Sequence, residues 1–291
     1  MAADFLDQMA ASSRERADAA KRTCGESDLL ARALASPAPP LLRRDPARFD
    51  LIAEMKLRSP AVGQLKSGDE DVGARVTAYA RAGAAAVSVL TEPSRFDGSL
   101  SHLELATRVL TPLRVPAMRK DFIVDPYQVI EARVAGAGGA LVILRMLPRD
   151  QLGALIEQAG KLGLFVLLEA FDEGDIELMH DIVSRYVGHD VELLAGVNCR
   201  DLTTLQIVPR RLDELAHLLP TSVPRVAESG VVSADDARRV AAAGYELALV
   251  GSALMQGGDP GALAAAMLRA GRAARSSAGG SPPPDRNDKA G

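Results

Sequence analysis

The chain reads as an α/β protein of the (β/α)8 TIM-barrel class, with an N-terminal helical extension and a disordered C-terminal tail. Three observations predict this. Eight short apolar runs of strand character recur at intervals of roughly 22–36 residues, separated by segments of helical period. Several of those helical segments end in a glycine, at Gly83, Gly136, Gly163 and Gly244, as short helix-to-strand loops require. The apolar runs also end in polar residues, where this architecture collects its chemistry. An open doubly wound sheet would alternate similarly, but no GxGxxG turn follows the first strand.

Residues 1–48 make the extension and its connector. From Asp4 to about Ala35, Leu, Met and Ala mix with Arg, Asp and Glu at roughly helical spacing, interrupted near Cys24 and Gly25. Pro37 to Pro46 holds four prolines and the Arg43-Arg44 pair, which no regular element tolerates. The barrel is assigned to residues 49–272. Its strands are expected at 49–54, 85–91, 115–120, 140–144, 164–169, 194–198, 225–228 and 247–250. Helices are expected at 69–81, 103–110, 127–135, 149–161, 172–186, 209–219 and 233–243. Residues 273–291, rich in Ser, Gly and Pro, have little apolar area to bury and are expected to be disordered.

Composition narrows the function. With 47% hydrophobic and 25% charged residues, the 291-residue chain can bury a large core. A net charge of −4 and a pI near 5.7 argue against a nucleic-acid platform, which needs a basic stripe. A local basic pocket for a small anion remains compatible. Cys24 and Cys199 lack a CxxC neighbour and stand too far apart for a metal cluster. No leader-like segment and no membrane-length apolar run is visible, so a reduced, cytoplasmic setting is expected. The expected partner is a small molecule, and a monomer or a weak oligomer fits the residues.

The strand ends carry Glu54 with Lys56, Lys120, Glu169, Asn198 with Arg200, Glu228, and Ser252. Solvation alone poorly explains so many polar ends around one barrel mouth. In Glu54-Met55-Lys56 both charges face the same way along an extended segment. Read alone, the pair is an exposed lip ion pair worth little. Residues 57–63 behind it form a long polar loop of the kind that covers a substrate. Lys120 and Glu169 supply an acid and a base from different strands. Positive neighbours or desolvation are expected to lower the lysine pKa, and an apolar surround to raise that of a carboxylate. The plainer alternative makes Glu169 a buried partner that keeps a lysine charged.

Ser229-Gly230 and Gly251-Ser252 follow the last two strands. Their amides can close on an anion, at the recurrent phosphate position of such barrels. Arg200 suits bidentate binding of a carboxylate or phosphate. Cys199, out of phase with Asn198 and Arg200, is read as a small packing hydrophobe with no adjacent His to activate it. His102, His180, His189 and His217 fall in helices or loops away from the mouth.

In this order, these residues resemble the indole-3-glycerol phosphate synthase family of tryptophan biosynthesis. The matching segments are 52–56 (IAEMK) with Ser59 and Pro60, 90–92 (LTE) with Phe96 and Gly98, and 119–123 (RKDFI). They continue through 125–128 (DPYQ), 131–133 (EAR), Leu168-Glu169, 196–198 (GVN), 200–202 (RDL), 228–230 (ESG) and Gly251-Ser252. The resemblance spans about Phe49 to Met255 and implies a cofactor-free, metal-free carboxy-lyase. That enzyme closes the indole ring of 1-(2-carboxyphenylamino)-1-deoxyribulose 5-phosphate with loss of carbon dioxide and water.

By the resemblance, Lys120 is the general acid on the ribulose carbonyl, beside Glu54, and Glu169 is the base of the dehydration. Lys56 helps bind phosphate and anthranilate carboxylate and shares the proton work. Asn198 and Glu228 position hydroxyl and amine groups, Arg200 holds an anionic group, and Ser59 belongs to the substrate site. Phe122 and Leu202 line the wall for the anthranilate ring, while Ser229, Gly230, Gly251 and Ser252 hold the phosphate.

The chain departs from the family pattern at Ala61, Ala170-Phe171, Cys199, Leu57-Arg58 and Arg95. The usual residues there are a serine, Val-His, an asparagine, a Lys-Ala or Lys-Arg pair, and an aromatic. A phosphoribosylanthranilate isomerase barrel, which works through a Cys and an Asp, fits less well because the first strand ends in Glu54. A non-catalytic barrel fits less well because Lys120, Glu169 and Glu54 are all present.

Overall fold

The apolar runs pair edge to edge in the computed structural model, which describes residues 5–60, 63–65, 70–201, 204, 206–208, 210–256 and 258–278. Eight parallel strands close into a barrel among these residues. They are β1 (Asp50–Met55), β2 (Ala86–Leu90), β3 (Ala117–Lys120), β4 (Gly139–Ile143), β5 (Phe165–Ala170), β6 (Leu193–Asn198), β7 (Arg225–Glu228) and β8 (Leu247–Val250). Each strand pairs with its sequence neighbours, and β1 closes the ring against β8. Every strand lies where the sequence places it, within two residues at either end. The runs are continuously apolar because both faces are covered. Ile52, Met118, Leu141, Leu167, Leu194, Val226 and Leu249 fill the interior. Leu51, Ala53, Val87, Val142, Val166, Leu168 and Val197 pack outward under the helices.

Leaving aside the short segments Pro93–Phe96 and Ser252–Gln256, the described helices are α1 (Phe5–Thr23), α2 (Glu26–Ala35), α3 (Val72–Arg81), α4 (Leu100–Leu110), α5 (Pro126–Val134) and α6 (Arg149–Lys161). They continue with α7 (Glu173–Tyr186), α8 (Arg211–Leu215), α9 (Ala234–Ala242) and α10 (Pro260–Ala278). Their starts are chemically marked. Asp71, Asp172 and Ser233 accept from amides of the first turn, and Asp125 forms a reciprocal capping box with Gln128 behind Pro126. Gly83, Gly136, Gly163 and Gly244 take the left-handed conformation that ends a helix.

Two expectations need correction. The helix expected over 209–219 shrinks to α8 followed by the 3-10 turn Ala216–Leu218. The tail does not begin at residue 273, because α10 runs on to Ala278. Arginines hold it there: Arg272 donates to Phe49 O at 3.1 Å and Asp50 Oδ1 at 2.9 Å, and Arg275 reaches Tyr245 O and Pro46 O. Residues 279–291, the rest of the expected tail, lie outside the described residues.

The extension breaks at Gly25, as its pattern predicts, and α1 docks beside the carboxyl ends of the strands. Its anchor is a buried network around the turn after β3. Arg119 points out of the barrel and donates to Thr91 Oγ1 at 3.1 Å, Gln128 O at 2.7 Å, Glu131 Oε2 at 3.0 Å and Asp121 Oδ2 at 3.1 Å. Arg16 of α1 grips both oxygens of Asp121, at 2.8 and 3.0 Å. Ser13 donates to Phe122 O and accepts from Gln128 Nε2. Lys21 pairs with Asp125 at 2.5 Å. The extension therefore holds the turn that carries Lys120.

Candidate active site

The strand ends enclose a cavity of about 360 Å³. The pleat decides what faces it, since alternate residues of each strand point inward. From β1 come Glu54 and, just beyond the strand, Lys56; from β3, Lys120; from β5, Glu169. From β6 and β7 come Asn198 and Glu228, with Arg200 in the following loop. Ser59, Phe122, Ser229, Gly230, Gly251 and Ser252 complete the lining foreseen in the sequence. Leu202 and Ala61 lie outside the described residues.

The charged groups interlock. Lys56 Nζ stands 2.5 Å from Glu54 Oε1, a buried carboxylate with a half-buried lysine rather than the exposed lip pair that an isolated Glu-x-Lys suggests. Lys120 Nζ sits between two carboxylates, 3.4 Å from Glu169 Oε1 and 3.5 Å from Glu228 Oε2. Asn198 donates its amide to Glu169 Oε1 at 2.8 Å and accepts from Arg200 N at 2.9 Å, fixing which way it faces. Gly196 makes room for this cluster, because a Cβ there would overlap Glu228 Oε1 and crowd Leu167.

Burial and neighbours set the proton affinities. Burial pushes the Glu54 carboxyl up, but Lys56, Lys120 and Arg200 bring it below its ordinary value. The expected lowering at Lys120 is overturned. Burial does work in that direction, but the surrounding carboxyl groups, Glu169 foremost, outweigh it and hold the group as an ammonium above its ordinary value. Glu228 goes well above the usual carboxyl range through burial and the nearby Glu169. Arg200 is lowered by burial. Cys199 is buried beneath Gly230, and burial pushes its thiol up to about 11, which suits packing and not nucleophilic attack.

One wall is aromatic. The ring of Phe122 meets Phe5 edge-on at 5.8 Å and Phe96 at 6.2 Å. Phe171, which replaces the usual histidine, lies under the Arg145 guanidinium at 5.0 Å. Phe5 was not foreseen as part of the site, because periodicity shows an amphipathic helix without showing where it docks. At the opposite rim, Ser229 and Gly230 take φ of 65° and 70°, a tight turn that exposes successive amides. Two short antiparallel segments, Arg58–Ser59 and Gly63–Gln64, fold the loop after β1 back on itself. Among the described residues, no group of three His, Cys, Asp or Glu side chains is arranged to hold a metal ion.

A family model described as indole-3-glycerol phosphate synthase matches residues 6–267. The indole-3-glycerol phosphate synthase of Nocardioides sp. (strain ATCC BAA-499 / JS614) is 43% identical over 253 residues, covering 84% of this chain and 91% of that protein. The one from Parafrankia sp. (strain EAN1pec) is 42% identical over 224 residues, covering 77% and 79%. Among solved structures, 3-hexulose-6-phosphate synthase from Salmonella typhimurium aligns with a TM-score of 0.60 at 14% identity, covering 78% of this chain and all of that one. This last likeness is one of fold.

Proposed function

The chain belongs to the indole-3-glycerol phosphate synthase family, and from that premise we propose how its site performs the ring closure. The enzyme is a carboxy-lyase of tryptophan biosynthesis. It converts 1-(2-carboxyphenylamino)-1-deoxyribulose 5-phosphate to indole-3-glycerol phosphate, carbon dioxide and water. The Lys120 ammonium donates to the ribulose carbonyl as the aryl carbon attacks it, so charge never accumulates on that oxygen. The carboxylate departs as carbon dioxide and the ring regains aromaticity. Glu169 then takes a proton from the methylene carbon beside the nitrogen as the hydroxyl leaves.

Phe122, Phe5 and Phe96 hold the aryl ring. Amides of the Ser229-Gly230 and Gly251-Ser252 turns, with Lys56, hold the phosphate. Arg200 and Ser59 take the remaining anionic and hydroxyl groups, and Glu54 and Asn198 fix the catalytic cations and the base. The extension over residues 1–48 serves the barrel as a brace for the turn after β3. A cytoplasmic setting and a monomer or weak oligomer accord with this role.

The observation that carries the reading is the placement of Lys120 Nζ between Glu169 and Glu228 on the floor of an aromatic-walled cavity. Indole fluorescence should rise when the enzyme meets the carboxyphenylamino-deoxyribulose phosphate. Lys120→Met and Glu169→Gln should each lower kcat by about 100-fold or more with the unfolding midpoint nearly unchanged. Near-normal indole formation by both variants would sink the assignment of roles.

A further inference from the structure

The reaction has a proton balance that one acid cannot meet. Closure converts the carbonyl oxygen to a hydroxyl, which takes one proton. Departure of that hydroxyl as water takes a second proton at the same oxygen. The methylene carbon gives only one back, as its C–H electron pair becomes the new ring double bond. Carbon dioxide leaves its bonding pair in the ring, so each turnover draws one net proton from solvent. Having protonated the oxygen once, Lys120 is a neutral amine beside the oxygen that must be protonated again.

Glu228 is built to supply that proton. Its side chain is 1% exposed, and neither oxygen accepts a hydrogen bond from any described residue. Lys120 of β3 stands 3.5 Å away, while Glu169 of β5 and Glu54 of β1 add negative charge around it. Asn198, its neighbour on β6, gives its amide to Glu169 instead. A buried carboxyl placed beside another, with the single nearby cation shared between them, takes up a proton. Its high proton affinity agrees with that geometry.

We propose that Glu228 stores a proton in the resting site and passes it to Lys120 between ring closure and dehydration. The inference rests on the ring-closing reading above. Lys120 protonates the carbonyl oxygen, takes the proton of Glu228, and protonates the same oxygen as it leaves. Glu169 returns the methylene proton to Lys120, and solvent recharges Glu228 when product departs. Both carboxyls and the amine thus regain their starting state.

The test separates the two halves of the reaction in the full-length enzyme. In Glu228→Gln, first-turnover release of carbon dioxide should slow at least about tenfold less than the appearance of indole. Indole fluorescence should appear about 100-fold more slowly, with Glu228→Asp restoring part of the loss. Equal slowing of both halves, or of neither, overturns the proposal. Infrared spectra supply a second readout that needs no turnover. At neutral pH the wild-type protein should show a protonated-carboxyl stretch that Glu228→Gln lacks. If that variant does not fold, the wild-type band and its loss at alkaline pH decide the matter, and a missing band overturns the stored proton. Wild-type enzyme with the band but no release of carbon dioxide would sink the ring-closing reading and leave the stored proton standing.

Discussion

Asp121 is held near the mouth by Arg16, Arg119 and Thr91. Burial pushes its carboxyl up, but Arg119, Arg16 and Thr91 bring it down to about 2, against an ordinary 3.8. A depressed folded-state value means that the stability it contributes is present above about pH 4 and is lost as pH falls through about 2. A shift of this size is worth about 2 kcal/mol. Asp121→Asn should cost about that much at neutral pH and flatten the fall in stability between about pH 4 and pH 2. Urea unfolding at several pH values reads both effects. Residue identity at the site was largely legible, since each polar group stands at the end of its own apolar run. Electrostatic sign was not. Lys120 read strand by strand invites a lowered pKa, and only closure of the barrel brings Glu54, Glu169 and Glu228 around it.

At the scale of elements, α1 joins the fold through side chains about a hundred residues away in sequence. Arg16 and Ser13 secure Asp121 and Phe122, and the Tyr127 hydroxyl donates to Ala20 O and Cys24 O at the end of α1. Arg16→Ala should speed hydrogen exchange at the amides of Phe122 and Val124 and cost about 1–3 kcal/mol. Unchanged exchange there would mean that Arg119 alone holds the turn. The helical character of α1 was legible from its period, but its docking partner was not, because amphipathicity specifies a face and not its address.

At the scale of the molecule, the seam where the first strand meets the last strand and helix decides closure. Phe49 lies against Gly271 of α10, and a Cβ at that glycine would overlap the Phe49 ring. Gly271→Ala should therefore destabilise the barrel by about 1–3 kcal/mol through overpacking, measured by urea unfolding. The eight strands were legible because each is buried on both faces. The end of α10 was missed because its last turns are fastened by Arg272 and Arg275, and those handles resemble solvent charges until Phe49, Asp50 and Tyr245 come beneath them. Strand β3 carries one further consequence. Met118 and Lys120 belong to the interior, while Arg119 and Asp121 belong to the brace around α1. The two sets alternate along the strand and meet only at Asp121, which also borders the cavity, so substrate preference and folding competence fall largely on alternate positions. A laboratory selection for another aryl amine can therefore randomise Phe122 with its wall partners Phe5 and Phe96 while holding residues 119 to 121 fixed, and sample new substrates on a barrel that still assembles and keeps its acid.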